Sequence, residues 1–256
     1  MGLFCMVIVK LGRCHDNGSA TGVIVPVEIA DQKLRSLNYV ARLSPQGDLV
    51  LAGYMQKKSA FSARDPMANS TWMFNSSKSN EVKTFNFDKR ITNATARNMV
   101  LNGDTWFLAG EQHKAESSAG GPEATYNYTH GDIIVTGFTA DGSTKKFDLS
   151  IAREWTAKDF DQDLTVASGT INNKLVVVFT DQYGKYIDDP YHKNLKLPVA
   201  VLISNTGAMD PPLNFADALD VKISTYTLYP QFFSNEPGHL MVLSGNSQSV
   251  KAVTFQ

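Results

Sequence analysis

Residues 131–149 read GDIIVTGFTADGSTKKFDL, and residues 169–183 read GTINNKLVVVFTDQY. In the first stretch, a β-branched run over 132–139 meets the turn Ala140-Asp141-Gly142-Ser143 and re-enters an extended segment at 145–149. In the second, Asn172-Asn173-Lys174 opens an apolar run over 175–180. Asn, Asp and Gly tolerate the turn dihedrals that β-branched residues resist, so each stretch reads as strand, tight turn, strand. A polar gap follows each unit. The pattern predicts an all-β chain.

The same unit recurs outward from this centre. GDLVLAGY (47–54), GDTWFLAGE (103–111), NNKLVVVFTD (172–181) and PGHLMVLSG (237–245) each begin on a Gly or Asn turn, run through apolar residues and close on small or polar ones. Their spacing of about 55–70 residues, with about four strands to the period, predicts a β-propeller-like fold of about four to five four-stranded antiparallel blades. A β-sandwich pair is the alternative architecture. The near-continuous apolar runs predict an inner strand covered on both faces. The small residues at their ends suit a close approach between neighbouring units.

The chain reads as one domain, 1–256, with units at 37–89, 91–150, 151–215 and 216–256. The last is short of a strand. The hairpin over 4–11 and 22–29, turning through Asp16-Asn17-Gly18-Ser19, is expected to close the ring with residues 3–29, because an open arc leaves unpaired edges. Residues 30–37 carry the one modest helical spacing in this part of the chain. The start lacks a basic segment ahead of its short apolar run and reads as a strand, not a signal peptide. No run reaches the roughly 18 apolar residues of a membrane span, so no transmembrane segment is expected.

Composition narrows the function classes. The 256 residues carry a formal net charge of −1, which argues against a nucleic-acid partner, since neutralising phosphates requires a cationic surplus or patch. Two cysteines, Cys5 and Cys14, exclude a disulfide-dense scaffold and a cysteine zinc site. A bridge between them across a short hairpin stays open as a reading. The five histidines share no local metal-binding spacing. Asp159, Asp161 and Asp163 alternate as in a calcium loop, but Leu164 and Thr170 stand where that loop needs Gly and Glu. No metal or other cofactor is expected. Nucleophile, phosphate-loop and dinucleotide motifs do not occur.

Tyr128-Thr129-His130-Gly131-Asp132-Ile133-Ile134-Val135-Thr136, then Thr139-Ala140-Asp141-Gly142, Ile171-Asn172-Asn173-Lys174-Leu175 and Leu202-Ile203-Ser204-Asn205-Thr206-Gly207, carry a resemblance. Over residues 37–256 the chain resembles uncharacterised propeller-like secreted or envelope proteins of Bacteroidetes bacteria. The resemblance implies a propeller-like fold and a periplasmic or cell-envelope location. It implies no catalytic residue, because the shared motifs are strands and turns.

Candidate site residues come from the long polar stretches 55–70, 111–130 and 181–197, which follow equivalent strands and are therefore expected to gather at one rim. Glu111, His113, Tyr126, His130, Asp181, Tyr183, Tyr186 and His192 combine aromatic, imidazole and carboxylate groups there. On loops held by a rigid scaffold they suit recognition. The expected function is non-enzymatic binding of a protein or a carbohydrate. The alternative is a polysaccharide hydrolase or lyase using carboxylates or histidines of the same stretches, which would need converging groups with displaced pKa values.

Overall fold

A computed structural model describes residues 5–14, 20–28, 34–57, 66–78, 82–117, 126–153, 155–158, 166–186, 196–214, 227–229, 235–236, 239–245 and 250–255. The described residues are all-β. Strands β1 (Cys5–Cys14) and β2 (Ala20–Glu28) form an antiparallel hairpin. β3 (Leu34–Leu43), β4 (Leu49–Lys57), β5 (Met67–Asn75) and β6 (Lys83–Thr92) pair in chain order as the first four-stranded sheet. The second sheet is the meander β7 (Ala94–Asn102), β8 (Thr105–Ser117), β9 (Tyr126–Thr139) and β10 (Lys145–Ile151), with β11 (Trp155–Lys158) added to β9. β12 (Val166–Ile171), β13 (Lys174–Gln182), β14 (Lys196–Ile203) and β15 (Leu213–Asn214) make the third. In the fourth, β18 (His239–Gly245) pairs with β16 (Thr227–Tyr229), β17 (Asn235–Glu236) and β19 (Val250–Phe255). No helix among the described residues is long and apolar enough to cross a membrane.

Local chemistry explains the strand ends. Ile171 pairs with Lys174 across Asn172 and Asn173, whose φ angles are 48° and 58°. Two consecutive left-handed residues form the mirror-image turn that matches strand twist, and Asn accepts that conformation better than any β-branched neighbour. The helical spacing at 30–37 does not give a helix where the structure describes it. Leu34 to Leu37 lie in β3, because pairing with β4 overrides a weak local preference. Cys5 and Cys14 sit at opposite ends of β1, paired with Glu28 and Ala20. Nine steps of extended chain separate them by about 30 Å. A disulfide needs Cα atoms within about 7 Å, so the bridge across the hairpin does not form. The turn at 15–19 lies outside the described residues.

Alternation along the strands builds two inter-sheet cores. Val50, Ala52 and Tyr54 of β4 pack with Met99, Trp106, Leu108, Ile134 and Phe138 of the second sheet. Phe107, Ile133 and Val135, from the intervening positions, pack instead with Val166, Leu175, Val177, Phe179, Val199 and Val201 of the third. The second sheet is therefore covered on both faces, which a two-sheet sandwich does not do. The apolar strand of each unit is the second of its sheet, not an edge strand. Every residue of β4 from Leu49 to Gln56 is buried.

The first strands run beside one another: β3 packs on β7, β7 on β12, and β12 on β16. Equivalent asparagines tie these contacts. Asn38 lies at a bulge of β3; its Nδ2 donates to Ala94 O at 2.8 Å and its Oδ1 accepts from Ala96 N at 2.7 Å. Asn98 lies at a bulge of β7, and its Nδ2 donates to Ser168 O and Oγ at 3.0 Å each. Gly110 allows the first and second sheets to close, since a Cβ there would stand 2.3 Å from the Tyr54 hydroxyl and 2.6 Å from Thr95 O. Asn98→Ala is expected to destabilise the protein by about 1–3 kcal/mol, the range for stranding a buried hydrogen-bond partner. Urea unfolding measures it; an unchanged midpoint would show that Asn98 does not hold the second and third sheets together.

Candidate functional site

β8 and β9 outrun the other strands because their pairing resumes after a bulge between Glu111 and His113. Beyond it His113 pairs with His130, Ala115 with Tyr128, and Ser117 with Tyr126. β11 lies on the far side of β9, with Trp155 opposite His130 and Lys158 opposite Asn127. The result is a three-stranded arm continuing the second sheet past its core. Residues 112–117 and 126–129, read from the sequence as part of a loop, are strand. Their polar character hides a pairing that only the neighbouring strand reveals.

The base of the arm is a charged knot. Glu111 is 0% exposed and continues the row of β8 side chains that contains Phe107. Its Oε1 accepts from Arg97 Nε at 2.6 Å, and its Oε2 accepts from Arg153 Nη2. His130 Nδ1 lies 3.4 Å from Oε2, and His130 is itself 0% exposed. Arg153 is held in turn: its Nε donates to Gly131 O at 3.0 Å, and its backbone N–H faces Asp132 Oδ1 at 3.4 Å. Burial alone would raise the Glu111 carboxyl. The hydrogen bond from His130 and the charges of Arg153 and Arg97 overcome it and hold the group well below the ordinary carboxylate range. Burial pushes the His130 imidazole down, and Glu111 offsets that only in part.

On the arm, His113 and His130 have ring centroids 4.8 Å apart, and His113 stacks on Tyr128 at 6.1 Å with an interplanar angle of 11°. The two histidines that bracket the polar stretch in sequence therefore meet. They do so as cross-strand partners.

A second cluster closes the end of β13. Asp181, 0% exposed, follows Leu175, Val177 and Phe179 on the alternating face that packs on the second sheet. It accepts from Tyr186 Oη at 2.8 Å, from Lys185 Nζ at 3.0 and 3.2 Å, and from Gln182 N at 2.7 Å. Burial first, and then Asp181, pushes the Tyr186 hydroxyl up. Tyr183 opens a 3₁₀ turn, Tyr183–Lys185, directly after β13.

The candidate residues thus fall into two groups. Glu111, His113 and His130 come together, as do Asp181 and Tyr186. Tyr126 and Tyr183 are placed by their backbones at the start of β9 and of the 3₁₀ turn. His192 and the Asp159–Asp163 alternation lie outside the described residues. Arg97, Arg153 and Lys185 were missed in the sequence, where no spacing links them to the carboxylates they hold. Among the described residues no group of three or more His, Cys, Asp and Glu side chains could hold a metal ion.

The corresponding end of the first sheet is polar but differently arranged. Gln56, Thr71 and the Tyr54 hydroxyl are fully buried on one face, and among the described residues neither the Gln56 amide nor either hydroxyl has a hydrogen-bond partner. Each such group costs about 1–3 kcal/mol relative to a bonded one. Polar groups are thus concentrated where β4, β8 and β13 end, while the opposite halves of these strands are apolar. No protein-family model, curated protein or solved structure matches the chain.

Proposed function

We propose that the protein is a non-enzymatic binding module on a β-propeller-like scaffold, taking a carbohydrate or protein ligand at the polar end of its sheets. The scaffold reading is supported by consecutive sheets of four or five strands whose first strands pack side by side, β3 on β7, β7 on β12 and β12 on β16. The connections β4 to β5, β8 to β9 and β13 to β14 each join the second strand of a sheet to the third. The resemblance of residues 37–256 to Bacteroidetes envelope proteins supports a bacterial envelope location.

One observation carries the binding reading: the arm presents the stacked His113–Tyr128 pair, while the carboxylate at its base is engaged by two arginines. Stacked aromatic groups on a rigid support recognise sugars and apolar peptide side chains. A glycosidase acid needs a carboxyl raised toward neutrality. Glu111 moves in the other direction, and Asp181 is bonded to Lys185 and Tyr186. Binding is the better reading.

A thermal-shift screen of the full chain against envelope glycan fragments and peptides tests it, with Tyr128→Ala in parallel. A ligand at about 100 times its dissociation constant adds roughly 2.7 kcal/mol to the folded state, a resolvable shift. A ligand whose shift disappears in Tyr128→Ala supports the arm as the site. A ligand that shifts both proteins equally moves the site elsewhere, and turnover of a bound glycan overturns the non-enzymatic reading.

A further inference from the structure

We infer that the polar end of the first sheet, on its face toward the second, is a hydroxyl-binding subsite in which Tyr54, Gln56 and Thr71 share one neutral hydroxyl group. The inference is independent of what the arm binds.

The strand register sets the three side chains beside one another. Val50, Ala52 and Tyr54 take alternate positions of β4 on the face that meets the second sheet, and Gln56 is the next residue in that alternation. Thr71 of β5 stands directly opposite Tyr54 and so shares its face, and Cβ atoms paired in this way lie about 4.5–5.5 Å apart. All three residues are 0% exposed. Phe85, opposite Thr71 on β6, packs against the same core, and the Phe87 ring lies 6.1 Å from that of Tyr54. Such a setting excludes bulk water. Among the described residues, however, the Tyr54 hydroxyl, the Thr71 hydroxyl and both ends of the Gln56 amide have no hydrogen-bond partner. Buried polar groups are paired in the great majority of cases, so three orphans side by side call for a common partner.

The neighbouring polar groups are engaged elsewhere. Facing Tyr54 is Gly110, where a Cβ would stand 2.3 Å from the hydroxyl, so this position offers it no side chain. Two residues along β8, Gln112 donates through Nε2 to Thr92 O and Oγ1 at 3.1 Å each. Thr136 donates to Asp148 at 2.8 Å, and Asn69 accepts from Lys57 N at 3.0 Å.

The orphan groups define their occupant. The two hydroxyls donate and accept, and the Gln56 amide adds two donors and an acceptor. Burial first, and then Asp148, pushes the Tyr54 hydroxyl up, which keeps it protonated and neutral. Asp148 is itself paired with Lys145, so an ion beside Tyr54 would be buried without a counter-charge. Full burial restricts the occupant to a small group. A small neutral group that both donates and accepts is a hydroxyl, supplied either by a resident water or by a neutral sugar reaching between the sheet ends.

The full chain is compared with Tyr54→Phe, Thr71→Val and the double variant. Each single variant is expected to lower the thermal midpoint by about 2–4 °C or more, as loss of a buried hydrogen bond does in a chain of this size. The double variant is expected to lose less than the sum, because either change already loosens the shared occupant. Two further readings on the unmodified chain separate the sources. NMR cross-relaxation between water and the Gln56 side-chain amide marks a resident water. A midpoint raised by glucose, with the rise absent in Tyr54→Phe, marks a sugar hydroxyl. Either result supports the subsite. Should Tyr54→Phe not fold, Thr71→Val with Gln56→Met repeats the cycle, and Thr71→Val takes its place in the glucose titration. Variants as stable as the original chain, or more stable, would show that the groups have no occupant, since an apolar replacement of an orphan group is neutral or stabilising. Additive losses would overturn the shared hydroxyl, as would the absence of both the water contact and a variant-sensitive glucose shift.

Discussion

A chain carrying Val177→Asp is expected to lose more than about 4 kcal/mol of stability, placing it among the most damaging single substitutions. Val177 is 0% exposed at the centre of β13, in the core shared by the second and third sheets. The substitution removes an apolar side chain worth about 1.5–3 kcal/mol of burial. It also puts a carboxylate among Phe107, Val135, Phe179 and Val201 with no cation in that cluster to answer it. Urea unfolding followed by far-UV circular dichroism is the measurement. A variant with the midpoint of the original protein would mean that β13 does not lie between two sheets.

Glu111→Ala is expected to cost about 3–5 kcal/mol, for a different reason. Removing the carboxylate leaves Arg153, whose side chain is 0% exposed, and Arg97, at 20%, without their shared partner. The loss comes from stranded charge, so a second change should relieve part of it. Combining Glu111→Leu with Arg153→Met, which replaces charges by apolar groups, is expected to be more stable than Glu111→Ala alone. A loss below about 1 kcal/mol for Glu111→Ala would show that water, not protein, solvates the arginines. The sign of the pH effect follows from the lowered carboxyl. Glu111 contributes its stability above its ordinary value of 4.5, and that contribution is lost as pH falls through the lowered one. Acid unfolding of Glu111→Gln should accordingly be shallower than that of the original chain.

Apolar runs and turn residues made the all-β class legible. The runs at 49–54, 105–110 and 175–180 announce the central strands, and Asn172-Asn173 announces a turn whose backbone angles require such residues. The arm was not legible. Residues such as Gln112, Lys114, Glu116, Asn127 and Thr129 are typical of loops, and they become strand because pairing across the hairpin satisfies their backbones. Part of the candidate site was visible as residue types: Glu111, His113 and His130 stood out, as did Asp181 and Tyr186. Their partners did not. Arg153 lies 42 residues from Glu111 and meets it through β10. Such a separation leaves no periodic trace in the sequence. The spacing of the cysteines left a bridge open; β1 extends through both and sets them at its two ends.

The order of the sheets also bears on how the chain acquires its structure during synthesis. The first three sheets each close on contiguous chain, with most strand partners joined directly by a turn or one connection. Loop-closure entropy inside a sheet is therefore small, and local pairing can proceed quickly. Contacts between sheets come later in the chain. Val50, Ala52 and Tyr54 lack their inter-sheet cover until Trp106, Leu108 and Phe138 have been made, and Phe107 and Val135 then wait for Val177 and Val201. A growing chain thus carries one uncovered apolar face forward at each stage. A chain stopped near residue 158 would hold two paired sheets with the outer face of the second bare, and that face is where its aggregation is expected to begin.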